Sequence, residues 1–182
     1  MSVIIEIQGR LSFEHIFKAS AGNNGGDPKF SANLLIAKGG AEEQQVQSAI
    51  ERAAKDRWGA KAPQILAQLR GQDRVCIHNG DLKSYDGYAG MDYVAASNPN
   101  RPVVVNRRGQ PVAEGESGAP YSGCYVRMNL EIWAMDNQFG KRVCATLRGV
   151  QFVKDGDAFS GGASPMAASD FSDLGDEDDD LI

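Results

Sequence analysis

Residues 121–136 (YSGCYVRMNLEIWAMD) and 141–156 (KRVCATLRGVQFVKDG) flank a four-residue turn that opens on Asn137 and closes on Gly140. Two such runs read as one long antiparallel hairpin, and a hairpin needs further strands to bury its apolar side. Period two along 124–134 puts Cys124, Val126, Met128, Leu130, Ile132 and Ala134 on one face, which is a core face. The other face carries Tyr125, Arg127, Asn129, Glu131, Trp133 and Met135. Upstream, 3–17 is rich in β-branched and aromatic residues, with Gly9 marking a bend or bulge, and 29–37 reads as a second strand. Short strands are expected within 75–77, 88–97 and 102–106. One strong helical period interrupts this pattern, at 41–59, where Val46, Ile50, Ala53, Ala54 and Trp58 share a face and Gly59 supplies a stop. A shorter helix is expected over 63–69, with Pro63 in its first turn. The expected fold class is mainly β, a Greek-key β-barrel with one or two inserted α-helices.

The charge is distributed unevenly. Residues 170–182 (DFSDLGDEDDDLI) hold seven of the 24 acids, no base, and an apolar tip. The remaining 169 residues carry 19 basic against 17 acidic side chains, so the net −5 of the whole chain arises from its end. A slightly basic body with a polyanionic tail suits a protein that binds a polyanion and carries its own competitor. The plainer expectation is a solvated terminus that aids solubility. From 158 onward Gly, Ser, Ala and Asp dominate, so a domain over 1–157 and a disordered acidic C-terminal tail over 158–182 are expected. No apolar run approaches the ~20 residues that span a bilayer. The start, MSVIIEIQGRL, lacks a secretory pattern, and Cys76, Cys124 and Cys144 show no CxxC spacing. A cytoplasmic protein with reduced thiols and no membrane partner is expected.

Catalytic templates are nearly empty. His15 and His78 stand on separate segments, 22–29 lacks Walker spacing, and there is no HExxH or GxSxG. Asp81, Asp86 and Asp92 lie in a turn-rich segment, where such residues are turn-formers and solvated charges far more often than metal ligands. Neither an enzyme nor a cofactor or metal site is expected. The positive signal is aromatic and basic residues together. Tyr125, Trp133 and Arg127 share a strand face suited to stacked bases. The alternative for that face is cover by the helix at 41–57, with Trp133 packed beneath it. Tyr85, Tyr88 and Tyr93 with Lys83 form a second cluster among glycines, although each tyrosine is equally suited to a core. Arg101, Arg107 and Arg108 add charge near a turn tip, and Arg142 and Arg148 either extend the groove or face solvent.

The runs ASNPNRPVVVN (96–106), YSGCYVRMN (121–129) and AMDNQFGKRVCATLRGVQFVKDGDAF (134–159) resemble the single-stranded DNA-binding proteins of certain tailed bacteriophages, which are OB-fold proteins. The resemblance covers about 2–159 in matching order. It implies an OB-type barrel that binds single-stranded DNA with little sequence preference in phage replication, recombination or repair, within the infected bacterium. The tail is similar in kind to those that recruit replication and recombination proteins and compete with DNA. Asp176, Glu177, Asp178, Asp179 and Asp180 would carry its charge. Bacterial tails end in an aromatic, whereas this chain stops at Leu181 and Ile182, so phage-encoded partners are as suited to it as host ones. The expected binding residues come from the strand and loop pattern, not from the resemblance. The homo-oligomeric state stays open. Two rival functions are a protein-interaction module whose tail mimics DNA towards a host protein, and a Mg²⁺ nuclease built on Asp81, Asp86 and Asp92.

Overall fold

The computed structural model describes residues 2–22 and 25–159. The expected disordered tail therefore lies, beyond Phe159, outside the described residues. The strands are β1 (Val3–Ser20), β2 (Lys29–Ala37), β3 (Ile77–Asn79), β4 (Met91–Asn98), β5 (Val103–Val105), β6 (Tyr125–Asn137) and β7 (Gly140–Lys154). Between β2 and β3 come α1 (Ala41–Trp58) and α2 (Ala62–Gly71), joined by a 3₁₀ turn at Gly59–Lys61. Gly59 ends α1 with φ +56 and ψ −130, a backbone conformation that glycine permits, and donates its N–H to Lys55 O. Among the described residues no helix is long and apolar enough to cross a membrane.

The long first strand does double duty. Val3 to Arg10 pair with β6, and from Arg10 onward the strand pairs with β2. Gly9 stands at this changeover because a Cβ there would lie 2.3 Å from Leu35 O. β2 pairs with β4, β6 pairs with β7, and β4 meets β7 in parallel at Ser97 and Thr146, which closes the ring β1-β2-β4-β7-β6. Asn98 supports that seam by donating Nδ2–H to Leu147 O at 2.9 Å. Five strands closed in this order form an OB-type barrel. β3 flanks β4, and β5 runs parallel to β7 on the other side.

Alternation fills the interior. Val126, Met128, Leu130 and Ile132 of β6 are fully buried, as the hairpin pattern requires, and meet Leu34 and Ile36 of β2. Val46, Ile50, Ala53 and Ala54 of α1 enter the same core. The helix touches β1, β2, β6 and β7, so it plugs the barrel. Trp58 fixes its end, donating Nε1–H to Asp136 Oδ2 at 2.8 Å. The outer face of β6 is accordingly not what the helix covers. Trp133 stays half-buried there and donates Nε1–H to Thr146 Oγ1 at 3.0 Å. A second, smaller cluster of Leu35, Tyr88, Tyr93 and Phe159 packs on the outside of β2 and β4.

Candidate nucleic-acid interface

Register assembles the site. Arg10 of β1 is opposite Leu35 of β2, Leu35 is opposite Tyr93 of β4, and Tyr93 is opposite His78 of β3. Directly paired residues share a face, so these four form a row across the outside of the barrel. His78 stacks on Tyr93 with centroids 5.0 Å apart, and its Nδ1 lies 2.6 Å from Asp73 Oδ1. Tyr88, from the loop before β4, stands edge-on to Tyr93 at 5.1 Å. Its hydroxyl donates to Ser12 Oγ at 3.0 Å and accepts from Asn33 Nδ2 at 2.9 Å. Tyr85 follows at 5.4 Å from Tyr88, and Phe13 at 4.7 Å from Tyr85. Five rings thus run in series, from Phe13 through Tyr85, Tyr88 and Tyr93 to His78.

Their exposure divides them. Tyr88 is 1% exposed, whereas Phe13 and Tyr85 are 46% and 50% exposed. Phe13 is turned outward by a break in the β1–β2 register between Ser12 and His15, and it holds φ +47 there. A bulky residue at positive φ is strained and persists only where its surroundings impose it. The exposed pair rests on a buried aromatic bed, an arrangement that offers flat faces to bases without losing side-chain freedom on binding.

Beyond the rings a trough of about 300 Å³ continues over β2, β4 and β7, with Ser31, Asn33, Ala95 and Ser97 along it and Arg142 and Cys144 at its far side. Burial pushes the Cys144 thiol up, while the charges of Arg142, Lys29 and Arg74 pull it down, which marks a cationic end to the trough. Arg74 is steadied by donating Nε–H to Lys141 O at 2.9 Å. Trp133 is the register partner of Cys144. Rings at one end and cations at the other suit the bases and phosphates of a single strand.

The residues expected from sequence divide between several places. Tyr85, Tyr88 and Tyr93 come together, but Tyr88 and Tyr93 form the bed and Tyr85 the surface. Lys83 is exposed two residues before Tyr85. Tyr125 is half-buried under Lys154, whose Nζ is 4.6 Å from the ring centroid, and Trp133 is paired with Cys144, which lines the trough. Arg127 lies elsewhere, paired with Glu6 at 3.2 Å in a separate groove with Val103, Asn129, Arg148 and Gln151. Arg101 donates to Phe17 O at 3.2 Å and Arg107 to Val153 O, so both fasten the β5 excursion to the barrel. Arg108 is exposed at a turn whose N–H is capped by Asn106 Oδ1. The tail residues 176–182 lie outside the described residues.

Sequence reasoning did not place Phe13, His78, Arg10 and Phe159 in this ring cluster. The bulge that exposes Phe13 has no signature in the run LSFEHIF, and Phe159 is embedded in tail-like composition. Asp81 and Asp92 are tied to Lys38 Nζ at 3.1 and 3.5 Å. The Gly90 N–H, then Lys38, hold the Asp81 carboxyl below its usual range. No group of three metal-ligating side chains occurs among the described residues. Cys76 and Cys124 are buried, which pushes both thiols up to about 12.

The family model described as the ssDNA-binding protein of Enterobacter phage Enc34 matches residues 1–182. A protein designated p50 from Acyrthosiphon pisum secondary endosymbiont phage 1 is 39% identical over 168 residues, covering 91% of this chain and 90% of that one. The structure of the single-stranded DNA-binding protein from bacteriophage Enc34 in complex with ssDNA is similar, with TM-score 0.72, 28% identity, and 86% and 89% of the two chains covered. The bacteriophage T7 single-stranded DNA-binding protein gp2.5 shares the fold, with TM-score 0.57, 14% identity, and 83% and 91% coverage.

Proposed function

Because the chain belongs to the Enterobacter phage Enc34 ssDNA-binding protein family, a family of binding proteins rather than enzymes, we propose that it holds single-stranded DNA across the outer face of β2 and β4. The observation that carries this is the five-ring series opening into a small-floored trough with cations at its far end. Phe13 and Tyr85 stack bases, the buried tyrosines hold them in place, and Lys83, Arg142 and Lys29 follow the phosphates. Stacking reads no sequence, because every base has a π-face. The strand so held is protected during phage replication, recombination or repair.

The acidic tail competes with DNA and recruits phage or host proteins. Support for competition comes from where the last described residue sits. Phe159 packs into the aromatic cluster itself, so the acids follow from the binding face, where a tether keeps their local concentration high.

Titration of a labelled dT oligonucleotide and its duplex counterpart at two salt concentrations tests this reading. Tight binding to the single strand, weak binding to the duplex and quenched tryptophan emission are expected. Removal of 170–182 should tighten binding at low salt. A body that ignores DNA while the tail alone captures a protein would mean an interaction module instead.

A further inference from the structure

Phe159 is held as a single-strand binder holds a base. Its ring lies under the Arg10 guanidinium, with Cζ 4.1 Å from the ring centroid. It belongs to the cluster of Leu35, Tyr88 and Tyr93 and is 9% exposed. The slot fits a flat group closely. Gly87, at φ +80, lacks a side chain there, and a Cβ would come within 2.6 Å of the Phe159 ring. A planar π system beneath a guanidinium, within a cluster of aromatic and aliphatic side chains, is in an environment that also favours a nucleobase.

The strap that delivers the ring is fastened unevenly. As far as Gly156 it is pinned by Tyr121, whose hydroxyl donates to Asp155 Oδ1 at 2.7 Å and also accepts the Gly156 N–H at 3.3 Å. Past Gly156 the hold differs in kind, with the backbone close on Gly123, where a Cβ would come 2.2 Å from Asp157 O. Arg10 Nη2 donates to Asp157 O, and Phe159 N–H reaches Ser122 O at 3.3 Å. Arg10 is separately anchored through Nε–H to Gly123 O at 2.9 Å, so its guanidinium stays in place if the strap departs.

We propose that this slot is a nucleobase subsite filled by the chain's own Phe159 in the DNA-free state, and that single-stranded DNA displaces 157–159 to stack a base beneath Arg10. The inference rests on the DNA-binding function proposed above and adds the subsite and its occupant. Displacement releases Arg10 Nη2 from Asp157 O and leaves it free to donate to the incoming strand. It also lifts the root of the acidic segment off the binding face as DNA arrives. Tail and DNA are then mutually exclusive through shape at this slot, in addition to charge.

The test uses the full chain with its tail intact and a dT oligonucleotide. Phe159→Ala should tighten binding about fivefold, the scale of one ring–cation contact that no longer has to be broken. In an otherwise native chain carrying fluorophenylalanine at 159, the fluorine resonance should move to a solvent-exposed position at saturating oligonucleotide. An unchanged or weakened affinity for Phe159→Ala overturns the inference, the latter because the ring would then be a platform beneath the DNA. An unmoved resonance at saturation overturns it too, whether or not the alanine variant folds well. Failure of the native chain to bind dT at all would instead remove the DNA-binding function itself.

Discussion

Two grooved outer faces of the barrel are built on different physics. Over β2 and β4 the floor is a packed satellite core, where Tyr88, Tyr93 and Leu35 are buried and Phe13 and Tyr85 rise from them. Over β5, β6 and β7 the groove is lined by Arg127, Arg148, Asn129 and Gln151 beside Val103, which is 65% exposed. Arg127 there already has a partner in Glu6. On the proposed binding face recognition would be coupled to folding stability, because its exposed rings stand on rings that belong to the fold. The second is a charged surface whose side chains can change with little consequence for the barrel.

Substitutions can break or sharpen this contrast. Tyr88→Ala should be the most damaging. Loss of a buried ring with both hydroxyl hydrogen bonds should cost about 3–5 kcal/mol, and lower the melting temperature by roughly 10 °C. Arg148→Ala should stay within about 0.5 kcal/mol of the native chain, and equal losses for the two would abolish the distinction. Next come the exposed rings. Phe13→Ala and Tyr85→Ala should each weaken single-strand binding by about 1–3 kcal/mol, with the deficit persisting at high salt. Phe13→Gly separates the backbone from the ring, since glycine relieves the positive φ while removing the stacking face. Its stability should recover relative to Phe13→Ala while its affinity does not.

A smaller effect is expected from the cations. Arg142→Ala should reduce the slope of log affinity against log salt by about one, and Arg127→Ala by less, because Arg127 lies off the trough. Salt titrations in which Arg127 and Arg142 behave alike would extend the DNA path onto the second face. The least effect concerns the thiols. Burial keeps all three protonated at neutral pH, so alkylation by iodoacetamide should be slow, with Cys144 first because it is the least buried. Bound oligonucleotide should slow Cys144 further if the strand follows the trough.

Most of the fold was legible because its signals are local. The β6–β7 hairpin follows from two alternating runs around 137–140, and α1 from a helical period with a glycine stop. The pairing of β4 with β7 links residues about fifty positions apart, and no local pattern announces it. The proposed site was half legible. Tyrosines in the 81–93 segment stood out, but the role of Tyr93 depends on which side of β4 it faces, set by pairing with β2, and those of Tyr85 and Tyr88 on how the loop before β4 folds back. Phe13 escaped because strict alternation is the wrong rule across a bulge. That Arg101 and Arg107 hold distant carbonyls was not legible either, because a guanidinium on a loop carries no sign of such a partner.

The parallel seam between β4 and β7 has a kinetic side. The ring is fastened there by one registered pair and the Asn98 amide, while the other junctions run over many residues. A clasp of that kind is where the bracelet opens first, and amides of 97 and 146 should exchange with solvent faster than those deep in β6. The trough crosses this clasp, since Ala95, Ser97 and Cys144 all border it. A strand lying in the trough would bridge both sides and hold the clasp shut. Opening of the barrel and release of the DNA would then share one slow coordinate, and the residence time of the strand would be set partly by how often the protein itself breathes.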